Sequence, residues 1–320
     1  VSTLTKLPKE LYDLQAFNAF DEKRDFHVGA ARACSWLCQL AYETDDPGMV
    51  GEILAAWGLG LPKGGIIAKS VATPLPIART EAFLAAKDGV GFLSFAGTDP
   101  IVLEDWITDF RIRSSPDGVA EGFSIAAESV LPEIGELLRA IRCRALVVTG
   151  HSLGGALAVL AATSLRRAGF PVTSVYTFGM PRAGGEAFQR SYNALVGGVT
   201  YRLVHGADIV PSVPPSGLGF RHVGRVLHCP SWGKCDPSAL ASDPGSDEPL
   251  FLPQVVEGVR TTLLRPLGAG SLVTGAFRSV AALLRPNRHS RRNDRIGRLI
   301  DGLPPAIRDH LPDAYINTVT

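Results

Sequence analysis

From Ala145 to Leu160 the chain reads ALVVTGHSLGGALAVL. Its first four residues are a short β-branched-rich run, and the end of it, continued as ALAVLAATSL, has the composition of a packed helix. Joining a buried strand to a buried helix over so few residues requires a sharp turn. Gly150 and Gly154 flank Ser152 in the pattern Gly-x-Ser-x-Gly. Side chains at the flanking positions would clash in such a turn, and the serine hydroxyl is held out of the chain. A hydropathy window would flag residues 145–165 as membrane-spanning. An internal GHSLGG turn would leave backbone polar groups without partners in lipid, so a transmembrane segment is rejected there.

The rest of the chain supports a layered architecture. Helical patterning is predicted at about 28–42, 48–57, 122–140 and 184–196, besides the helix after Ser152. Strands are predicted at GIIAKSVA, TEAFLAAKD, VGFLSFAG, ALVV, PVTSVYTFG and VTYRLVHG. This alternation predicts an α/β fold, a central mostly parallel sheet covered by helices on both faces. Reactive groups in such sheets collect where strands end, and Thr98, Ser152 and Asp208 each follow a predicted strand. Residues 1–320 are expected to form a single domain, with 1–26 as a peripheral N-terminal arm. Past residue 212 the pattern weakens through the loop SVPPSGLGF and the segment CDPSALASDPGSDEP. Apolar helices are then expected around 254–284, which makes 236–300 a candidate helical insertion or cap.

The composition, 46% hydrophobic and 20% charged with net charge +1, suits a globular chain with a large core. It gives no reason to expect nucleic acid as a partner. Charge is uneven: RPNRHSRRNDRIGR holds Arg285, Arg288, Arg291, Arg292, Arg295 and Arg298. Together with the apolar helices before it, this makes residues 254–298 the candidate for peripheral contact with an anionic lipid surface. The opening VSTLTKLPKELYDLQAF carries charges where the apolar centre of a secretory signal would lie. Five cysteines, with Cys34 and Cys38 one helical turn apart as buried thiols, point to a reducing compartment. Cytoplasmic or peripheral-membrane localisation is therefore expected ahead of secretion. Cys229 and Cys235 bracket PSWGK, close enough to be bonded or to stay free. With His222 and His228 they spell H-x5-H-C-x5-C, which is not a standard zinc spacing, and no metal or cofactor is expected.

A serine hydroxyl is a poor nucleophile until a base takes its proton, and that base needs a carboxylate to fix its tautomer and steady the imidazolium. In hydrolase sheets of this kind the order is Ser, then acid, then His. HGADIVPSVPP places Asp208 just beyond a strand. Taken together, GHSLGGALA, FAGTDP with Trp106 in EDWITDF, VAEGF, YTFGMPRAGGEAF, YRLVHGADIVPSVPP and RDHLPDAYINTV resemble the class 3 (fungal-type) lipase family, in that family's order. The resemblance covers roughly residues 30–228 and the last dozen. It implies an α/β-hydrolase fold in which Ser152 is the nucleophile, Asp208 the acid and His310, within DH-x3-AY, the base. Elimination among the seven histidines agrees. His27, His151 and His205 precede Asp208, His222 and His228 match a segment that does not supply the family's base, and His289 lies in the arginine run.

For the oxyanion, the backbone N–H of Leu153 opens the following helix. By resemblance, Thr98 supplies the second donor. The resemblance also places a lid at IVLEDWITDF, with Ile101, Val102, Trp106, Ile107 and Phe110 on its apolar side. The sequence departs from the family at Ala96, often Arg, and at Ala120, often His; both are support positions. The expected activity is hydrolysis of lipid carboxylic esters, foremost acylglycerols, at a lipid–water interface through an acyl-enzyme. A phospholipase or general carboxylesterase of the same fold is the alternative, and a catalytically idle binding protein the remote one.

Overall fold

The computed structural model describes residues 4–22, 25–74, 77, 79–98, 118–245 and 290–320. Its strands are β1 (Ile66–Lys69), β2 (Thr80–Lys87), β3 (Val90–Phe95), β4 (Ala145–His151), β5 (Val172–Phe178), β6 (Gly184–Gly185), β7 (Thr200–His205), β8 (Phe220–Arg221) and β9 (Arg225–Cys229). The α-helices are α1 (Val28–Leu40), α2 (Pro47–Ala56), α3 (Glu121–Ala140), α4 (Leu153–Arg167), α5 (Glu186–Val196), α6 (Arg295–Asp301), α7 (Pro305–Arg308) and α8 (Pro312–Val319). Local chemistry sets several of the helix starts. Asp46 accepts the Met49 N–H at 3.0 Å with Pro47 in the first turn of α2, and Asp294 accepts the Gly297 N–H at 2.9 Å at the start of α6.

Among the described residues, seven strands make the main sheet in the order β1-β2-β3-β4-β5-β7-β9. The β1–β2 and β2–β3 pairs are antiparallel, and every pair from β3 to β9 is parallel. The period-2 alternation of the strands builds a core on each face. Leu93, Leu146, Val148 and Val175 face α3, α4 and α5 through Val130, Ile134, Leu157 and Tyr192. Phe92, Val147, Tyr176, Tyr201 and Leu203 face α1, α2 and α8 through Leu37, Ile53 and Tyr315. The expected mostly parallel sheet with helices on both faces is therefore present. β4 occupies its middle position, with the Gly-x-Ser-x-Gly turn at its C-terminal end.

Two features differ from the sequence reading. The arm, expected to be peripheral, buries Leu7, Tyr12 and Ala16 in the second core. The Trp57 indole N–H donates to the Asp13 carbonyl at 2.9 Å, and Arg32 pairs with the Asp13 carboxylate. Polar letters in the arm mask a few large side chains, and burying each contributes about 1.5–3 kcal/mol. The strand β9 was not foreseen either, since RVLHC is short and carries Arg225 and His228. Parallel pairing with β7 turns it into the last strand of the sheet. Of the candidate insertion 236–300, residues 246–289 lie outside the described residues, as do the helices expected around 254–284. In the arginine run, Arg291 stacks over the Trp36 ring at 5.0 Å, and Arg292 bonds Asp294 and the Lys6 carbonyl. Those two guanidinium groups serve packing of the chain on itself.

Candidate active site

Ser152 caps the start of α4 with φ 57° and ψ −131° and is fully buried. A positive φ is costly for a residue with a Cβ, and it persists here because the surroundings over-determine it. The Ser152 N–H is held by the Phe178 carbonyl at 2.9 Å. A Cβ on Gly150 would overlap the Gly154 carbonyl, and one on Gly154 would overlap the Phe95 carbonyl, so both glycines are required by close backbone packing.

The loop after β7 and the segment before α8 converge on this turn. His310 Nε2 lies 2.9 Å from Ser152 Oγ, and His310 Nδ1 lies 2.9 and 3.0 Å from the two Asp208 oxygens. A carboxylate only accepts, so Nδ1 carries the proton and Nε2 is left to accept from the serine hydroxyl. Asp208 also accepts the Val210 N–H at 2.8 Å and the Tyr315 hydroxyl at 2.5 Å. Gly179, at φ +59°, lies beneath this pair: a Cβ there would come within 2.6 Å of Asp208 Oδ2 and 2.9 Å of His310 Nδ1. Tyr315 and Gly179 were not assigned roles from sequence, although both stand in the quoted fragments, as the Tyr of DH-x3-AY and the Gly of YTFG.

The neighbouring Asp309 fastens the two segments together. Its carboxylate accepts from the Ala207 N–H at 3.0 Å and the Ser231 hydroxyl at 3.2 Å, and it pairs at 3.0 Å with Arg308, buried as Asp309 itself is. On the other side of the acid loop, Arg182 donates to the Ser212 and Pro214 carbonyls at 2.6 and 3.0 Å. Three other described histidines are engaged away from the serine. His222 faces the Pro211 carbonyl at 2.7 Å, His205 the Asp309 carbonyl at 3.2 Å, and His27 stands at the N-cap position of α1. His289 lies outside the described residues.

Leu153 is the first residue of α4, where helix N–H groups have no partner within the helix and the dipole favours negative charge. Thr98 follows Gly97, whose backbone packs against Ser152: a Cβ on Gly97 would lie 3.1 Å from the Ser152 Cβ. Leu153 thus follows the serine directly, and Thr98 follows the glycine packed on it. Ala96 and Ala120 are buried, with N–H groups bonded at 3.0 Å to the Glu81 and Ala183 carbonyls. The lid residues Ile101, Val102, Trp106, Ile107 and Phe110 lie outside the described residues. Among the described residues no group of His, Cys, Asp and Glu could hold a metal ion, and no helix is long and apolar enough to cross a membrane. A cavity of about 850 Å³, lined in part by Phe17, Phe20, Trp57, Phe92, Lys87 and Arg144, lies at the opposite end of β3 and β4 and is not part of this site.

The family model described as Lipase (class 3) matches residues 92–218, the stretch that carries Thr98, Ser152 and Asp208. Across this stretch the chain is similar to the class 3 lipases. The chain is 40% identical over 132 residues to the secreted mono- and diacylglycerol lipase 1 of Fusarium solani, covering 38% of this chain and 39% of that protein. It is 27% identical over 197 residues to the secreted mono- and diacylglycerol lipase A of Penicillium cyclopium, covering 57% and 63%. The chain thus spans less than two thirds of the length of these relatives. Among solved structures, the Rhizomucor miehei triacylglyceride lipase is similar at a TM-score of 0.52 and 25% identity, covering 71% of this chain and 86% of that one. The fold is that of the α/β-hydrolases.

The expected cytoplasmic or peripheral-membrane localisation is corrected by these findings. The relatives are named as secreted, and Cys229 and Cys235 are bonded to each other, a state that persists in oxidising surroundings. Cys34 and Cys38, which suggested a reducing compartment, are buried and free. Burial protects such thiols and says little about the compartment.

Proposed function

We propose that this chain is an extracellular serine hydrolase that cleaves acylglycerol esters through an acyl-enzyme on Ser152. The observation that carries the reading is the buried line Ser152 Oγ, His310 Nε2, His310 Nδ1, Asp208, with each step within hydrogen-bond distance. Substrate class and location come from the mono- and diacylglycerol lipases named as secreted to which the chain is similar, and the cystine supports the location.

In this reading Ser152 Oγ attacks the ester carbonyl carbon as its proton passes to His310 Nε2. Asp208 stabilises the resulting imidazolium through Nδ1–H and remains ionised. The carbonyl oxygen becomes an oxyanion facing the Leu153 and Thr98 backbone N–H groups, each such donor being worth about 3–4 kcal/mol in the transition state. Collapse breaks the ester C–O bond, and the leaving alcohol takes the proton from His310. A water then attacks the acyl-serine in the same way and releases the fatty acid.

The test is labelling by a fluorophosphonate probe, together with hydrolysis rates over acylglycerols, phospholipids and soluble p-nitrophenyl esters. Wild type takes the label and turns over acylglycerols, whereas Ser152→Ala folds and does neither. His310→Ala loses at least about a hundredfold, with His228→Ala and His289→Ala near wild type. Retention of more than a few per cent of activity in Ser152→Ala, on the scale of a general nucleophile's contribution, overturns the assignment. A preference for phospholipids overturns the substrate class alone.

A further inference from the structure

The elbow residue that the acyl-transfer chemistry leaves unused is His151. Its side chain is 2% exposed. Its Nε2 lies 2.6 Å from the main-chain carbonyl of His310, and its Nδ1 lies 2.7 Å from the Tyr42 hydroxyl. Its ring is 4.7 Å from the His310 ring and edge-on to Tyr315 at 5.8 Å. The chemistry of the partners decides the tautomer. A carbonyl only accepts, so Nε2 carries the proton, Nδ1 accepts, and Tyr42 donates.

The Tyr42 hydroxyl touches a third segment as well. A Cβ on Gly97 would overlap that hydroxyl and come within 2.8 Å of the His151 carbonyl, so the backbone just before Thr98 is packed directly on the Tyr42–His151 pair. Three chain segments that reach the serine from different parts of the fold therefore meet around one imidazole: the elbow after β4, the turn after β3, and the link between α7 and α8 that carries His310.

We propose that His151, with Tyr42, is a positioning residue: it ties the His310 main chain to the nucleophile turn and to the Gly97–Thr98 turn, fixing the distance between base, nucleophile and oxyanion donor. The inference rests on the ester-hydrolase reading above. Its physical requirement is that His151 stay uncharged. Burial, with a smaller contribution from the neighbouring His310, pushes its pKa well below the ordinary imidazole value, so the ring remains neutral where the enzyme would work. A charged ring here would oppose the imidazolium that forms on His310 during acyl transfer. Displacement of a reacting group by about 1 Å costs on the order of a hundredfold in rate, so losing the tether is expected to act on turnover and spare substrate binding.

The test compares His151→Leu, His151→Gln and Tyr42→Phe with wild type on a soluble p-nitrophenyl ester, recording kcat, KM, the pH profile of kcat/KM and the melting temperature. In His151→Leu, kcat is expected to fall by ~10–100-fold with KM nearly unchanged, and the acid limb of the profile moves as His310 loses its setting. In His151→Gln the amide nitrogen reaches the His310 carbonyl, and most of the lost kcat returns. Tyr42→Phe gives a smaller loss in the same direction. Full kcat in His151→Leu, or a loss that follows the fraction unfolded with no recovery in His151→Gln, overturns the proposal. Long-range ¹H–¹⁵N spectra of the imidazoles test the tether without reference to activity. A protected Nε2–H on His151, weakened in Tyr42→Phe, supports it, and an Nδ1–H tautomer or a cationic ring refutes it. Wild type that neither hydrolyses esters nor takes a fluorophosphonate label defeats the functional reading, while the spectra still decide the tether.

Discussion

Asp208 illustrates how a buried carboxylate is kept useful at the scale of one side chain. Besides the His310 imidazole it receives a backbone N–H and the Tyr315 hydroxyl, so its negative charge is met on every side. Tyr315 in turn is held: its oxygen accepts the His205 N–H at 3.2 Å, and burial followed by the Asp208 charge pushes its pKa well above the ordinary phenol value. It therefore stays a donor. Hydrogen bonds to charged groups contribute about 1.5–3 kcal/mol. Tyr315→Phe is accordingly expected to lower kcat by ~10-fold or more with little change in KM, measured on a soluble ester. An unchanged kcat would show that the hydroxyl serves packing only.

The elements that flank His310 are short and would not hold their geometry alone. Helix α7 has four residues and α8 eight, below the length at which isolated helices persist. They are held by the Asp309 cluster and by the cystine loop after β9. The Gly206 N–H bonds the Cys229 carbonyl at 2.9 Å, and the Cys235 N–H bonds the Thr318 carbonyl at 3.0 Å. Asp309→Ala removes one partner of a buried ion pair together with the acceptor for the Ala207 N–H, so a loss of about 3–5 kcal/mol is expected. Urea unfolding measures it, and a loss below 1 kcal/mol, the range of exposed pairs, would contradict the role given to this cluster. Opening the cystine with Cys235→Ser should cost about 2 kcal/mol by the loop-entropy argument for so short a loop. Melting of wild type with and without reductant, against the variant, checks it.

At the scale of the whole molecule, the two faces of the sheet bury the histidines that the chemistry does not use. His151, His205 and His222 have pKa values below the ordinary 6.5, each first because of burial. The unfolded chain takes up protons on these rings as the pH drops through 6.5, and the folded chain does so only at lower pH. Stability is therefore complete above 6.5 and falls as the solution is acidified below it, each ring adding at most about 1.4 kcal/mol per pH unit. Glu43 and Asp313, pushed up by burial, act in the opposite sense, so a variant isolates the histidine part. His222→Gln keeps a donor toward the Pro211 carbonyl and should match wild type at pH 8 while losing less stability on acidification. Parallel curves for the two proteins would refute the linkage.

What the sequence determined by itself was the part written in local physics. Period-2 runs alternating with amphipathic helices specified the layered sheet, because burial of one face repeats along each element. The glycines around Ser152 specified a sharp turn, because only a missing Cβ lets the backbone of β4 and α4 approach. Ser152, Asp208 and His310 were legible as candidates, from their places after strands and from six fragments in order. Tertiary structure alone decided which side chains meet. His310 is 102 residues from Asp208 and 158 from Ser152, and their contact depends on strand order, parallel register and the Asp309 cluster. The same holds for the arm folded onto α1, for β9 beside β7, and for the Tyr42–His151 contact. Each joins segments distant in sequence, and no periodicity or turn chemistry records such a contact, since its free energy arises only once the sheet has brought both partners out of water.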